Sequence, residues 1–190
     1  MTSAEFPLPS GIPTYITLPE MRLLQHYAHE AQTVLEIGTH YGFSTIGMAL
    51  AGAHVTSVDP HMGGPADRPD TWEPFLANCR RNGFDPGIVA AITPIRATIE
   101  SQVQYMQHSR FGLIFIDGDH THPAPMRDAR IALAHLTAPW YVAFHDVTPG
   151  WMDVWLATRQ LLRTGALELV EQERYLAIYR AGWRLVPEEV

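Results

Sequence analysis

The sequence predicts an α/β protein with an open, mostly parallel seven-stranded sheet, helices on both faces and an antiparallel hairpin at the C-terminal end. Three observations predict this fold class. Short β-prone runs alternate with runs of helical period, which implies right-handed crossovers between parallel strands. The run 112–117 is apolar on both faces, as expected for a strand in the middle of a covered sheet. Only a polar turn separates the last two β-prone runs, which indicates an antiparallel pair.

The first half of the chain begins with an arm rich in proline, glycine and threonine, which reaches to about Pro19. Apolar residues at three- and four-residue spacing then predict a helix over 18–31. A loop rich in glycine and proline is expected at 60–69. The helix that follows this loop, at 70–82, is expected to end at Gly83. The elements predicted after the first helix are strands at 33–37, 54–59 and 88–95, and helices at 43–51, 70–82 and 98–107.

The second half continues the alternation from the central strand at 112–117. A helix is expected to begin near Pro123, since proline is tolerated in a first turn, and to run to about His135. The remaining predicted elements are strands at 140–144, 167–170 and 175–179, and a helix at 152–162. No repeat, low-complexity tract or linker divides the chain, so we expect a single domain over 1–190, of which 1–31 form the arm and the first helix.

The composition limits the possible partners. A chain of 190 residues with a net charge of −7 and dispersed arginines is expected to be repelled by phosphate backbones, so nucleic acid is not an expected partner. No apolar run approaches the roughly 20 residues that span a bilayer, and the N-terminus lacks the pattern of a signal peptide. Cys79 is the only cysteine, which excludes an internal disulfide and a thiolate-rich metal site. We therefore expect a cytoplasmic location, a small-molecule acceptor, no membrane and a possible homo-oligomer.

In open parallel sheets, ligands bind beyond the carboxyl ends of the strands. That rule selects four segments, 36–42, 59–62, 117–120 and 145–146. Three of them carry acidic residues at the point where a strand stops. These segments are the predicted functional site.

The segment after the first strand predicts a nucleoside pocket. Gly38 can make the sharp exit from the strand, and Gly42 can let a ligand approach the N-terminus of the next helix. Asp59 ends the second strand, where a carboxylate can hold a ribose diol. His40 and Tyr41 fill the middle of the loop, which argues against a pyrophosphate. A ligand with a ribose but no phosphate fits better.

The fourth and fifth strands end in an acidic cluster. Asp117-Gly118-Asp119-His120 follows one strand, and His145-Asp146 follows its expected neighbour. Carboxylates so close together are costly unless a cation or a shared proton relieves them. A divalent metal is the simplest source of that relief.

Glu36-Ile37-Gly38-x-x-x-Gly42, with Asp59 at the expected distance, resembles the first motif of class I S-adenosylmethionine (SAM)-dependent methyltransferases. The resemblance implies a Rossmann-like fold and SAM as methyl donor, with its amino-acid end held by loop amides and Glu36. The residues then expected to bind the cofactor are Glu36, Gly38, Thr39, Gly42, Ser44, Asp59 and Asp117.

The pattern Asp117-Gly118-Asp119-His120, then Asp128, then His145-Asp146 resembles the metal-dependent O-methyltransferases of antibiotic sugar tailoring. That resemblance implies ligation of a divalent metal, Mg²⁺ or Mn²⁺, by Asp117, His145 and Asp146. Asp119 or His120 would remove the proton of the acceptor hydroxyl. A hard cation lowers the pKa of a coordinated hydroxyl and fixes its direction. An imidazole ligand suits manganese, iron, nickel or zinc better than magnesium.

Structural roles remain open for several of these residues. Asp119, His120 or Thr121 could cap the following helix, Asp128 is expected to be a structural hydrogen-bonding group, and His145 could bond a backbone carbonyl. Trp72, Trp151 and Trp155 are candidates for walls of an acceptor pocket or for the core. His61, Met62 and 63–65 could form a lid over the cofactor.

The chain departs from the family pattern after the third strand. Ile95-Arg96-Ala97-Thr98 stands where an acidic residue usually contacts the adenine, and Ala138-Pro139-Trp140 replaces Pro-Gly-Gly before the fifth strand. The first change favours an alternative function, a non-catalytic SAM- or nucleoside-binding protein on the same fold. A metal-dependent hydrolase or oxygenase that uses the same histidines and aspartates is a third hypothesis.

Overall fold

The computed structural model describes residues 6–62, 69–82 and 86–182. Seven strands form one sheet in the order β3-β2-β1-β4-β5-β7-β6. The strands are β1 (Thr33–Ile37), β2 (His54–Asp59), β3 (Ile92–Arg96), β4 (Phe111–Ile116), β5 (Leu136–Phe144), β6 (Leu167–Glu173) and β7 (Leu176–Ala181). The helices are α1 (Leu18–Ala31), α2 (Phe43–Leu50), α3 (Trp72–Asn82), α4 (Pro86–Ala90), α5 (Ile99–Gln102), α6 (Ala124–Leu133) and α7 (Met152–Arg163).

The first five strands run parallel, and β7 pairs antiparallel with both β5 and β6. The chain moves outward from β1 to β3 and then returns to the other side of β1 to begin β4. The strand order therefore reverses between β1 and β4, where open parallel sheets bind their ligands. The predicted fold class is confirmed.

Alternate residues of the central strands enter two separate cores. Val34 of β1 and Leu113 of β4 pack with α1, α2 and α3 on one face, whereas Leu35 and Ile114 pack with α5, α6 and α7 on the other. Side chains alternate across a strand, so consecutive apolar residues require helices on both faces. The helices fix the positions of the loops at the carboxyl edge.

The third predicted strand, 88–95, is wrong at its start. Residues 86–90 form the short helix α4, in which the amide of Ala91 donates to the carbonyl of Gly87, and β3 begins only at Ile92. Pro86 is tolerated in the first turn of a helix, and short apolar runs do not distinguish a helix from a strand. The predicted stop at Gly83 lies outside the described residues.

Other boundaries also differ from the prediction. The helix expected over 98–107 is one turn, α5, followed by a 3-10 turn at Val103–Tyr105. Strand β5 begins at 136, four residues before the predicted 140, and pairs there with Phe111. Strand β6 ends at 173 and β7 begins at 176, so only two residues separate the strands of the hairpin. Residues 63–65 of the predicted lid lie outside the described residues.

A capping box begins α1. The Thr17 side chain accepts from the backbone of the first turn, and the Glu20 carboxylate accepts from the Thr17 amide. Glu20 is fully buried, although it lies in the first turn of a surface helix. Among the described residues, no helix has the length and apolar character needed to cross a membrane.

Candidate active site

The loops after β1 and β4 touch at the point where the strand order reverses. Gly38 has a φ of +95°, and a Cβ there would lie 2.1 Å from the carbonyl oxygen of Asp117. Gly42 has a φ of +87°, and a Cβ on it would lie 2.5 Å from the ring of Phe75. Both positions require glycine because protein atoms fill the space. The expected sharp exit at Gly38 is present. At Gly42, the side on which a Cβ would stand is filled by the ring of Phe75, so it is not open to a ligand.

Asp59 joins the end of β2 to residues 38–42 after β1, which we call the glycine loop. Its Oδ2 accepts the backbone amides of Thr39 and His40 at 2.8 and 2.9 Å, and its Oδ1 accepts the amide of His61 at 2.6 Å. A carboxylate offers about four lone pairs, so its bonds to the described residues leave roughly one for a ligand hydroxyl. The loop amides of Thr39 and His40, which were expected to hold the amino-acid end of a cofactor, donate to Asp59.

Glu36 lies entirely inside the protein. Its Oε1 accepts the hydroxyl of Ser44 at 2.5 Å, and its Oε2 accepts the hydroxyl of Thr45, both in the first turn of α2. Burial raises the pKa of Glu36 to about 7, and the nearby charge of Asp117 raises it further against the effect of the two hydroxyls. Glu36 and Ser44 thus join β1 to α2. Their contact with a cofactor remains a prediction.

Asp117, His120 and Asp146 come together beyond β4 and β5. One ligand atom from each of these partly exposed side chains lies within 4.8 Å of the other two. The His120 Nε2 is 3.4 Å from Asp117 Oδ1 and 3.7 Å from Asp146 Oδ2, which are ion-pair distances beyond the usual hydrogen-bond range. This Nε2 is buried and has no hydrogen-bond partner among the described residues. We call these three residues the reacting cluster.

His145 lies behind the reacting cluster and is 2% exposed. Its Nδ1 is 3.4 Å from Asp146 Oδ2 and 3.6 Å from Asp117 Oδ1, and its Nε2 is 3.6 Å from Glu20 Oε1. Burial opposes the imidazolium, but the surrounding carboxylates raise the pKa of His145 to about 10. Without a bound cation, the imidazole is therefore protonated at neutral pH. In this protonation state His145 is the counter-charge of three carboxylates.

The same imidazoles stabilise the charge of Asp117. Burial opposes ionisation of this carboxyl, but His120 and His145 hold its pKa below the usual value. In turn, Asp117 and Asp146 raise the pKa of His120 against the effect of burial. Asp117 and Asp146 meet as predicted, and His120 is the third member of the group, whereas the sequence pattern predicted His145 in that place. The assignment of metal ligands remains a prediction.

The two candidates for proton removal have different surroundings. Asp119 is exposed, and its Oδ1 accepts the amide of Thr121 at 2.9 Å and its hydroxyl at 2.7 Å. The His120 ring instead lies 4.8 Å from the ring of Trp151 at the start of α7. The Asp153 carboxylate, in the first turn of α7, also accepts the amide of His122. The start of α7 therefore holds the loop that carries His120.

Of the three tryptophans considered as acceptor walls, Trp151 contacts the reacting cluster through His120 and is 46% exposed. Trp72 packs against His61 and Phe75 on the side of β2. Trp155 stacks under the guanidinium of Arg159. An exposed aromatic ring at the rim is the arrangement expected of a ligand wall, and among these three it occurs at Trp151.

Arg96, which replaces the usual acidic residue after the third strand, forms an ion pair with Asp70 and lies 5.9 Å from the ring centroid of Trp72. Asp70 also accepts the amide of Trp72 at 2.8 Å, so it caps α3. A carboxylate is thus present at the end of β3, although it comes from a different part of the chain. The sequence order of Asp70 and Arg96 gave no indication of this pairing.

Asp128 is almost fully buried in α6, and burial raises its pKa to about 6. Its Oδ1 accepts a 3.0 Å hydrogen bond from Arg127, and its Oδ2 is 3.7 Å from the position that a Cβ on Gly118 would take. Asp128 therefore lies beside the loop after β4 and acts as a hydrogen-bonding group in α6, as predicted.

Comparison with solved structures shows the likeness of fold. An O-methyltransferase from Bacillus cereus in complex with SAH has a TM-score of 0.69 and 15% identity, covering 90% of this chain and 84% of that chain. The O-methyltransferase of tomaymycin synthesis from Streptomyces achromogenes, in complex with SAM, has a TM-score of 0.68 and 14% identity, covering 87% and 81%. A TDP-rhamnose 3'-O-methyltransferase of calicheamicin biosynthesis has a TM-score of 0.61 and 18% identity, covering 90% and 88%.

No curated protein matches the chain. A family model described as a methyltransferase domain matches residues 35–147, which is more than half of the chain and includes both the glycine loop and the reacting cluster. The prediction of a methyltransferase is confirmed: the chain belongs to the methyltransferase domain family.

Proposed function

We propose that this protein transfers the methyl group of SAM to a hydroxyl of a small acceptor, with the help of a divalent cation. One observation carries the proposal. The glycine loop after β1 and the reacting cluster after β4 and β5 share one edge of the sheet, with Gly38 packed directly against the backbone of Asp117. A donor over the loop and an acceptor at the cluster would therefore be neighbours.

The electrostatics of this edge favour SAM. Asp59, Asp117 and Asp146 lie at the ends of β2, β4 and β5, where a sulfonium cation is attracted and a phosphate is repelled. Two of the three solved structures compared above contain SAM or SAH. We propose that SAM lies over Gly38, with a ribose hydroxyl on the remaining lone pair of Asp59, the loop Thr39–Gly42 beneath it and Asp117 beside its methyl group. Glu36 and Ser44 would act indirectly, by fixing the start of α2.

The reacting cluster fits a divalent cation. Carboxylate oxygens bind such cations at about 2.0–2.6 Å, so two of them on one ion lie at most about 5 Å apart, and the oxygens of Asp117 and Asp146 lie within 4.8 Å of each other. Asp117 and Asp146 would hold the ion, since carboxylate oxygens suit Mg²⁺ or Mn²⁺. The bound ion would supply Lewis acidity to the acceptor hydroxyl.

His120 is the proposed acceptor of the hydroxyl proton. Its buried Nε2 has no hydrogen-bond partner within the described parts of the chain and lies within 3.7 Å of a carboxylate oxygen of both Asp117 and Asp146, whereas the Oδ1 of Asp119 is bonded to Thr121. The acceptor oxygen forms a bond to the methyl carbon while the carbon–sulfur bond breaks, and the hydroxyl proton passes to His120. The electron pair of the broken bond remains on sulfur, which yields neutral SAH. Holding the oxygen in line with the methyl group supplies most of the rate effect, because the sulfonium is already activated.

Calorimetry with SAM and SAH, with and without Mg²⁺ or Mn²⁺, tests the proposal. We expect both nucleosides to bind, and we expect Asp146→Ala to abolish cation-dependent stabilisation while it leaves SAM binding largely intact. Glu168→Ala, which removes an exposed carboxylate from β6, is the matched control and should retain the cation response. Absence of heat and of a thermal shift with SAM, SAH and adenosine would exclude the proposed function.

A second pair of measurements separates the two possible roles of His120. If His120 accepts the proton, His120→Gln should abolish transfer while the cation affinity falls by less than about tenfold. If His120 is instead a ligand, the same variant should lose the cation as completely as Asp146→Ala does. The second result would overturn the assignment of His120 as base.

A non-catalytic SAM-binding protein is the alternative, and the presence of Arg96 in place of the usual acidic residue favours it. The ion pair between Arg96 and Asp70 weakens that objection, because a carboxylate still stands at the end of β3. Incubation of the protein with radiolabelled SAM and a panel of catechols, flavonoids and nucleotide sugars distinguishes the two functions. Transfer of label to any acceptor, dependent on Asp146, supports the enzyme; SAM binding with no transfer supports the alternative.

A further inference from the structure

Glu20 is a buried carboxylate that contributes only half of its hydrogen-bonding capacity to its own helix. Its Oε2 accepts the amide of Thr17 at 2.8 Å and the hydroxyl of Thr17 at 2.6 Å, which completes the cap of α1. Its Oε1 takes no part in the cap. That oxygen faces the carboxyl end of β5.

The Oε1 of Glu20 meets two groups at this edge. It accepts the amide of Tyr175, in the turn between β6 and β7, at 3.0 Å. It also lies 3.6 Å from the Nε2 of His145, which is buried and has no hydrogen-bond partner among the described residues. On the opposite edge of the same ring, Nδ1 faces Asp117 and Asp146. The ring therefore lies between one carboxylate of α1 and two of the reacting cluster.

We propose that Glu20 is a positioning residue of the reacting cluster, which accepts a hydrogen bond from His145 Nε2–H and so aims Nδ1 at Asp117 and Asp146. This inference rests on the proposed function, because the role of the cluster in methyl transfer is itself proposed. A buried imidazole needs a partner on each nitrogen, and a carboxylate on one nitrogen fixes the orientation of the ring. Carboxylates that are themselves held in place bind a cation or an acceptor without reorganisation.

Nitrogen and proton NMR of the imidazole groups tests this contact in the absence of any ligand. His145→Gln assigns the His145 signals by their loss. We expect a slowly exchanging Nε2–H of His145 in the wild type, and we expect Glu20→Gln to shift or remove it. Thr17→Ala is the matched control, because it deletes the hydroxyl of the cap and leaves Oε1 in place; it should lose stability but leave the His145 signals unchanged.

Mn²⁺ affinity, measured by electron paramagnetic resonance, provides a second readout. Residues that orient metal ligands typically contribute about 10- to 100-fold to metal affinity. We expect Glu20→Gln to weaken Mn²⁺ binding by about tenfold, and Thr17→Ala to change it less than twofold. SAM affinity should stay within about twofold of wild type in both variants.

Two results would overturn the inference: unchanged His145 signals in Glu20→Gln, or equal changes in Glu20→Gln and Thr17→Ala. The latter would show that Glu20 only caps the helix. If Glu20→Gln does not fold, Glu20→Asp retains the charge but withdraws the oxygen by one methylene, and it should shift the same Nε2–H signal. Failure of the wild type to bind SAM would refute the proposed function, whereas the NMR comparison would still decide the role of Glu20.

Discussion

Replacing Glu36 by glutamine should increase the stability of the protein relative to wild type as the pH rises from 5 to 8. Burial raises the pKa of Glu36 from 4.5 to about 7, so the folded state favours the neutral carboxyl. The stability contributed by that raised pKa is fully present below pH 4.5 and is lost as the pH rises to 7. Each pKa unit corresponds to about 1.4 kcal/mol, so the total loss is about 3 kcal/mol, of which roughly 2.5 kcal/mol falls between pH 5 and pH 8. The neutral amide of Glu36→Gln does not ionise and should not show this loss.

Urea unfolding of wild type and Glu36→Gln at pH 5 and pH 8 measures the effect. The amide has weaker hydrogen bonds with Ser44 and Thr45, so the variant can be less stable at pH 5. The test is therefore how the difference in free energy of unfolding between variant and wild type changes with pH. From pH 5 to pH 8 this difference should shift by about 2.5 kcal/mol in favour of the variant. Glu168→Gln controls for removal of an exposed carboxyl. A difference between wild type and Glu36→Gln that is independent of pH, or that moves in the opposite direction, would refute the reasoning.

Three further predictions follow from the site. Gly38→Ala should lower the free energy of unfolding in urea by more than about 3 kcal/mol, because its Cβ would collide with a backbone carbonyl. Gly165→Ala is the control: its φ is +72° but its surroundings are open, so the loss should be only about 1 kcal/mol. Equal losses would contradict the steric reason. Asp59→Ala should weaken SAM binding in calorimetry by about tenfold or more, because it releases the glycine loop, and an unchanged Kd would show that the loop holds without it. Mn²⁺ at the reacting cluster should quench wild-type fluorescence more than that of Trp151→Phe, and equal quenching would place the ion elsewhere.

The sequence predicted the elements whose signals are local. The bounds of α1, β1 and β2 agree with the prediction, because apolar periodicity and turn residues define these elements within a few positions. The prediction began β3 too early, because the five residues of α4 are too few to show whether their apolar pattern is that of a helix or of a strand. The carboxyl-edge rule selected Asp117, His120 and Asp146 correctly as neighbours, because parallel strands end at a common edge.

The remainder of the site depends on contacts between distant parts of the chain. Glu20 reaches His145 from the first helix, and the Thr-x-x-Glu spacing at 17–20 indicates only a helix cap. The ion pair of Asp70 with Arg96 likewise joins the segment before α3 to the end of β3, which are 26 positions apart in the sequence. Which oxygen of a carboxylate is already occupied, as in Asp59, depends on loop conformation. Residue type and spacing predicted that these groups lie at the carboxyl edge of the sheet, but not which hydrogen bonds and ion pairs they form there.

The hydrogen bond from the Tyr175 amide to Glu20 connects residues 155 positions apart. During synthesis on the ribosome, the part of the chain that builds the glycine loop emerges long before Tyr175 does. The segment that carries the glycine loop is therefore available early, whereas the Tyr175 amide reaches Glu20 only after β7 has paired with β5. A nascent chain that stalls before Tyr175 would hold Glu20 without this partner, and we expect it to have no transferase activity.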